Sequence, residues 1–263
     1  MPRKVQKRVV AANTNTASSF QLTRLFPNMV TIIGLCAGLS SLRFALHEKW
    51  ELAAAFIIIA AFIDAVDGRL ARMLNSTSSF GAHLDSLADF LNFGVAPVFA
   101  LYLWKTSEIK GLGWALVLFF AVCAVIRLAR FNTDLETDKK DKKKDYFVGI
   151  PAPAGALIVL SPMIFDFALK LQYPELFAHI AFTQNPYFVC ALVAFTAILM
   201  ASRIPTFSFK NIKVPKKLTS LILAATGLLA IGFMSEPWLV LCGIITLYIL
   251  TIPISIVSYL TEK

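Results

Sequence analysis

Four aspartates occur as two pairs at helical spacing in an otherwise apolar part of the chain. Asp64 and Asp67 are three residues apart, and Asp85 and Asp89 are four residues apart. Residues at these spacings lie on one face of a helix, so each pair is predicted to project its carboxylates in one direction. An ionised carboxylate near hydrocarbon costs at least about 2.5 kcal/mol, so four of them require a partner. The pattern predicts binding of one or two Mg²⁺ or Mn²⁺ ions, which prefer carboxylate oxygens and leave positions open for a phosphate-bearing substrate.

Small residues and one arginine accompany the two pairs. Gly68 and Ala71 follow the first pair on the same stripe of its helix, and Gly81 precedes the second pair. Small side chains at these positions allow a neighbouring helix or a flat ligand to approach the backbone closely. Arg72 adds a planar cationic group that suits a phosphate oxygen. Together these residues predict a diphosphate site in which metal ions neutralise charge on the phosphate.

The composition indicates a membrane protein rather than a soluble enzyme. Mean hydropathy is +0.70, and 57% of the residues are hydrophobic, which is well above the average for soluble domains. The predicted fold class is all-α: a polytopic membrane helical bundle of about eight transmembrane helices in residues 25–263, after a basic segment at 1–24. The eight apolar runs that could approach a span of about 30 Å are 29–46, 51–68, 81–103, 112–130, 152–170, 187–202, 218–234 and 237–258.

The distribution of basic residues predicts the orientation. If the N-terminus is cytoplasmic, the segments on that side hold 20 Lys and Arg residues and the opposite segments hold 4. The positive-inside rule therefore places both termini and the aspartate pairs at the cytoplasmic face of the inner membrane. Topology thus explains the net charge of +9, and no nucleic acid partner is needed. The charge run at 134–145 is predicted to be a solvated cytoplasmic loop.

The motif as a whole resembles that of a known enzyme family. From Asp64 onward the chain has D-x-x-D-G-x-x-A-R, eight residues, and G-x-x-x-D-x-x-x-D, which is similar to the signature of the CDP-alcohol phosphotransferases. The resemblance implies a helical membrane domain whose four aspartates bind one or two divalent ions, and in which Asp89 takes the proton from the incoming alcohol. It also implies a CDP pocket shaped by the remaining motif residues: Gly68, Ala71, Arg72 and Gly81.

Softer patterns resemble the phosphatidylserine synthase branch of this family. They are R-L-F-P-N-M-V-T at 24–31, R-L-A-R-F-N at 127–132 and F-V-G-I-P-A-P at 147–153. This resemblance implies transfer of the phosphatidyl group from CDP-diacylglycerol to the hydroxyl of L-serine by direct displacement, with release of CMP. A homodimer is an expectation from the family alone. The resemblance places Asn28 and Thr31 near the nucleotide.

Candidates for the serine carboxylate or the phosphates follow from the same resemblance and from the basic residues. Arg130 and Asn132 end the second pattern, and Arg203 follows a later helix end where an arginine could hold phosphate. Each arginine equally fits a cytoplasmic topology charge or a snorkelling side chain. From the residues alone, neither Mg²⁺ over Mn²⁺ nor an acyl over an isoprenoid lipid is favoured.

Two alternatives remain open from the sequence. A sibling enzyme could use inositol phosphate, glycerol phosphate or choline as the acceptor, and a phosphorylated acceptor would need basic residues such as Arg127, Arg130 and Arg203. A cation or proton transporter could instead use the aspartates as its ion path. The small residues and the arginine at nucleotide-binding spacing favour the enzyme.

Overall fold

A computed structural model describes residues 22–74, 78–136, 146–172, 181–207 and 218–261. Helices predominate in these residues, which confirms the predicted all-α class. The basic segment expected at the N-terminus and most of the 134–145 charge run lie outside the described residues. In chain order the elements are α1 Leu22–Leu46, α2 Trp50–Met73, α3 Ser79–Asp89, a π-helical segment Phe90–Val95, α4 Ala96–Trp104, a 3₁₀ turn Thr106–Ile109, α5 Lys110–Glu136, β1 Tyr146–Val148, α6 Ala152–Gln172, a 3₁₀ turn Ala181–Gln184, α7 Pro186–Ala201, β2 Pro205–Phe207, α8 Thr219–Ser235 and α9 Pro237–Thr261.

Each of the eight predicted apolar runs forms helix, but not all of these helices have the length and hydropathy of a full span. Helices α7 and α8 are apolar but have only 16 and 17 residues. Helix α2 has 24 residues, and its last ten include two aspartates and two arginines. Within the described residues, five stretches are long and apolar enough to cross a membrane: Leu25–Leu46, Ser79–Trp104, Thr106–Thr133, Ala152–Lys170 and Pro237–Ser258.

Helix α6 is the centre of the bundle, and the outer helices expose apolar side chains. It packs against α2, α4, α5, α7 and α9, and its Val159, Met163 and Ile164 are fully buried. In contrast, α8 has no buried residue. Large apolar side chains such as Leu223 and Leu228 are more than 70% exposed on it. An apolar outer surface of this extent suits contact with lipid rather than water.

A π-helical segment interrupts the third predicted span directly after its aspartate pair. Pro97 has no N–H group and its ring clashes with the carbonyl four residues earlier, so a regular α-helix cannot run through it. The chain accommodates this by widening: the Ala96 N–H donates to Leu91 O, five residues back. Such π segments are rare and are common at functional sites. The widening turns Asn92 toward α1, where it packs over Gly38.

A short antiparallel ladder joins two connections that are far apart in sequence, and it was not predicted. Strand β1 pairs with β2 in the register Phe147 to Thr206. Thr206 Oγ1 also donates to Gly149 O at 2.9 Å. Gly149 has φ of +76°, and a Cβ there would lie 2.9 Å from Met200 O, so both its backbone conformation and its packing require glycine. Three-residue strands about 57 positions apart leave no local hairpin pattern, which is why the sequence did not reveal them.

Candidate active site

The two aspartate pairs meet at one end of the bundle. Helix α2 contributes Asp64 and Asp67, and α3 contributes Asp85; carboxylate oxygens of all three lie within 4.8 Å of one another. Oxygens bound to one ion at about 2.0–2.6 Å cannot be more than about 5 Å apart, so this spacing fits a single hard cation. Asp89 lines the same cleft as these three residues. The predicted convergence of the motif carboxylates is therefore present in the structure.

The carboxylates line a narrow cleft with small apolar walls. Ala60 and Ala88 are buried on its sides, where larger side chains would fill the space between α2 and α3. Asp67 is only 4% exposed, and its Oδ1 has no hydrogen-bond partner among the described residues. Leaving a buried carboxylate oxygen without a partner is costly, so this oxygen is a good ligand position. The complete lining is Thr31, Gly34, Ala60, Asp64, Asp67, Asp85, Ala88, Asp89 and Asn92.

This donor set fits the divalent cation that the motif predicts. Three or four carboxylates with no sulfur or imidazole favour Mg²⁺ or Mn²⁺ over zinc or copper. The cluster is thus able to hold a divalent ion, and the structure offers no competing ligand chemistry in this cleft.

The remaining motif residues lie beside the cleft, where they leave backbone accessible. Gly68 is exposed, and nothing lies within 4 Å of a Cβ added there. Arg72 is also exposed, and its Nε donates to Gly68 O at 2.9 Å. Ala71 is half-buried on the same turn of α2. These residues form an open shelf at the mouth of the cleft that would accommodate a flat ligand.

Gly81 and Asn28 are in close contact, which explains why a small residue is needed at the start of α3. A Cβ on Gly81 would lie 2.8 Å from Asn28 Oδ1. The Gly81 N–H donates to Ser78 Oγ at 3.0 Å, so Ser78 caps the start of α3, as serine commonly does. Thr31 lies one turn after Asn28 on α1; it is buried and lines the cleft. Both α1 residues expected near the nucleotide therefore lie at or beside the aspartates.

The three candidates for serine or phosphate binding lie outside the lining of the cleft. Arg130 Nη1 donates to Ala201 O at 2.9 Å and to Ser202 O at 3.3 Å, so it caps the carboxyl end of α7. Asn132 Nδ2 donates to Ser86 Oγ at 3.0 Å and thereby ties α5 to the residue after Asp85. Arg203 is exposed beyond the end of α7.

Asn92 and Tyr248 were not among the sequence candidates, and Arg127 was considered only for a phosphorylated acceptor. Asn92 lines the cleft and is 2% exposed, and its Oδ1 has no hydrogen-bond partner among the described residues. It follows Asp89 by three residues, so helical spacing could have revealed it. Arg127 interacts electrostatically with Asp89 and with Tyr248 of α9. Tyr248, whose buried hydroxyl has no hydrogen-bond partner, is about 120 positions away from Arg127 along the chain, and no sequence pattern links it to the site.

Comparison with known proteins identifies the family. The family model described as CDP-alcohol phosphatidyltransferase matches residues 24–184, and that of CDP-alcohol phosphatidyltransferase 2 matches residues 217–253. The chain belongs to the CDP-alcohol phosphatidyltransferase family, whose members generally use a divalent metal.

Curated relatives narrow the resemblance to one activity. A CDP-diacylglycerol–serine O-phosphatidyltransferase of Mycobacterium leprae is 38% identical over 89% of this chain and 75% of its own length. The proteins of that name from Helicobacter pylori and Bacillus subtilis are 33% and 30% identical. They cover 76% and 70% of this chain, and 78% and 91% of their own lengths.

We expect Mg²⁺ or Mn²⁺ to raise the thermal unfolding temperature of the detergent-solubilised protein. An ion that binds only the folded state stabilises that state by about 2.7 kcal/mol when the ion concentration is 100 times the Kd. Asp67→Asn should abolish most of this shift, since it removes a buried ligand charge. Glu108→Gln is the matched control, because Glu108 pairs with Lys105 at 2.9 Å at a distant turn. A full metal-dependent shift in Asp67→Asn would contradict the assignment.

Proposed function

We propose that this protein is a CDP-diacylglycerol–serine O-phosphatidyltransferase, which forms phosphatidylserine and CMP. The observation that carries the proposal is the convergence of Asp64, Asp67 and Asp85 within 4.8 Å in a chain that is 38% identical to curated enzymes of that name. The family supplies the reaction class, and the relatives supply the acceptor.

In this proposal Asp64, Asp67 and Asp85 hold one or two divalent ions, with Asp89 as a further ligand. An ion held by these residues would neutralise charge on the diphosphate and so make CMP a better leaving group. The serine hydroxyl attacks the β-phosphorus, a new O–P bond forms, and the bond to the oxygen of CMP breaks. Asp89 accepts the hydroxyl proton as the attack proceeds. The described residues that line the cleft include no Cys, His or Ser for a covalent intermediate, which favours direct displacement.

Arg127 takes the place of Arg130 as the proposed binder of the serine carboxylate. A guanidinium group has five N–H donors. Among the described residues the hydrogen bond of Arg127 comes from Nε, which donates to Ile150 O. Arg127 interacts electrostatically with Asp89, so a carboxylate bound to its guanidinium group would lie near the proposed base. Arg130 instead caps α7, and Asn132 positions Ser86. A bidentate pair between guanidinium and carboxylate provides geometry as well as charge.

The nucleotide would occupy the open shelf formed by Gly68, Ala71 and Arg72, with Asn28, Thr31 and Gly81 beside it. The exposed Arg72 can turn from the helix backbone to a phosphate oxygen, and Arg203 remains a candidate for the same role. The lipid tails would leave between helices toward the apolar outer surface. In the proposed topology all eight helices span the inner membrane, both termini are cytoplasmic, and the aspartates face the cytoplasm, as the basic residues predict. A homodimer is part of the proposal on family grounds only.

The acceptor is tested by following CMP release and the lipid product by mass spectrometry. Purified protein with CDP-diacylglycerol and Mn²⁺ or Mg²⁺ should release CMP with L-serine, and a chelator should abolish the release. Glycerol 3-phosphate, inositol phosphate and choline, offered separately, should give no lipid product. Turnover with one of these compounds instead of serine would show that the acceptor is wrong, but it would agree with the metal site. If folded protein turned over with none of the acceptors, the result would favour the transporter hypothesis.

Asp89→Asn should lower kcat by about 10²-fold or more, the usual range for loss of a general base. Because asparagine has the same shape and keeps an oxygen ligand, the metal-dependent rise in unfolding temperature should largely persist. Glu108→Gln again serves as the control with normal turnover. Unchanged kcat in Asp89→Asn would show that another group accepts the proton.

Arg127→Lys should raise KM for L-serine by about tenfold or more, because lysine keeps the charge but cannot form the bidentate pair. KM for CDP-diacylglycerol should stay nearly constant. Arg130→Lys is the matched variant on the same helix, and it should leave KM for serine unchanged while lowering thermal stability. If KM for serine rose in Arg130→Lys but not in Arg127→Lys, the result would indicate that Arg130 binds the serine carboxylate.

A further inference from the structure

A second cavity lies at the ends of the helices opposite the aspartates. Its volume is about 740 Å³. Trp50 begins α2, and Asp64 lies fourteen residues further along, so the cavity is about 20 Å from the metal cluster at 1.5 Å per residue. The lining residues come from the α1–α2 connection and the ends of α2, α4 and α6: Glu48, Lys49, Trp50, Glu51, Leu52, Trp104, Asp166, Phe167, Lys170 and Gln184.

A buried carboxylate without a counter-ion lies in this cavity. Asp166 is 7% exposed on α6, the central helix. Its Oδ1 accepts a hydrogen bond from Gln184 Nε2 at 2.9 Å. Within the part of the chain that the structure describes, no Lys or Arg forms an ion pair with it. Buried charges in membrane helices are normally paired, and an unpaired one indicates a functional site. Among the described residues the Asp166 carboxylate thus has one hydrogen-bond donor and no counter-ion, so an added cation would pair with it.

The walls of the cavity select an organic cation rather than a metal ion. Trp50 and Trp104 are half-buried, and Phe167 is held in an edge-to-face pair with Trp238 at a centroid distance of 5.0 Å. Aromatic faces attract ammonium groups by cation–π interaction. Divalent metals instead need several oxygen ligands that converge on one point. The lining also contains Glu48 and Glu51, but both are exposed, and among the described residues they form no cluster with Asp166 that is close enough to share an ion. An ammonium group is thus the cation that best matches carboxylate and rings together.

Two lysines supply the complementary charge for an anionic group next to the ammonium. Lys49 and Lys170 line the cavity and are exposed. Among the described residues neither lysine forms an ion pair, so the two ammonium groups can turn to a phosphate oxygen. Tryptophans at helix ends are typical of the headgroup level of a membrane, which places the cavity where lipid headgroups lie.

We infer that this cavity binds a phosphoammonium group, in which a primary ammonium and a phosphodiester are separated by a short linker, as in the headgroup of an amine-bearing phospholipid. Asp166 binds the ammonium between the aromatic rings, and Lys49 and Lys170 bind the phosphate. The acyl chains extend along the apolar outer surface of the bundle. This site is separate from the active site and does not depend on the proposed reaction.

The test is native mass spectrometry of the full protein in detergent with short-chain phosphatidylethanolamine, in the presence of a chelator. One lipid molecule per protein should bind, and its binding should saturate. Asp166→Asn should lower the affinity for this lipid by about tenfold or more, since hydrogen bonds to charged groups are strong. Asparagine has the same shape and can keep the bond to Gln184. Glu108→Gln, at a nearby turn outside the lining, should bind normally. Asp85→Asn should also bind normally, because the active site is not involved.

The outcomes separate the proposal from its rivals. Phosphatidylglycerol with the same chains, which lacks the ammonium, should bind at least about tenfold more weakly. Equal binding of this lipid, or unchanged affinity in Asp166→Asn, would overturn the site. If free phosphoethanolamine competed as well as the lipid, this would contradict the inference that the ligand is a lipid. Normal turnover by Asp166→Asn is the expected evidence of correct folding; should that variant not fold, Lys170→Gln replaces it and should weaken binding of the lipid.

Discussion

Mutual repulsion of carboxylates in an apolar bundle is the constraint on which the rest of the site depends. Two ionised carboxylates 4.8 Å apart repel by roughly 3 kcal/mol even at an effective dielectric constant of about 20, and four of them meet here. Apolar packing of α1, α2 and α3 must hold them together until a cation converts repulsion into binding. In the proposed function a metal ion would contribute both to the chemistry and to the stability of the fold, because its binding energy adds to stability.

Close approach of helices around the cluster depends on residues that are small or that break helical regularity. Gly34 and Gly38 on α1 leave room for the Asn92 side chain, and the π-helical segment forced by Pro97 aims Asn92 at them. The same widening begins directly after Asp89. The position of Asp89 is thus linked to Pro97, which lies about two turns further along the chain. A regular helix would direct the side chains of Asp89 and Asn92 differently.

Basic residues at this end of the bundle have divided roles. Arg127 and Arg130 are three residues apart on α5, yet one faces Asp89 and the other caps α7. A cation at the carboxyl end of a helix satisfies free carbonyls and opposes the helix dipole, so Arg130 contributes to structure. The positive-inside rule accounts for both arginines being at this end, but it does not distinguish between them.

Local patterns in the sequence determined the all-α class, the positions of the eight apolar helices and the facing aspartate pairs, because hydropathy and the 3.6-residue period are properties of short segments. The β1–β2 ladder, the roles of Arg127 and Tyr248, and the cavity around Asp166 depend on segments that are distant in the chain. Only the tertiary structure decided these features, since a side chain on one helix acquires its partners from whichever helices pack against it.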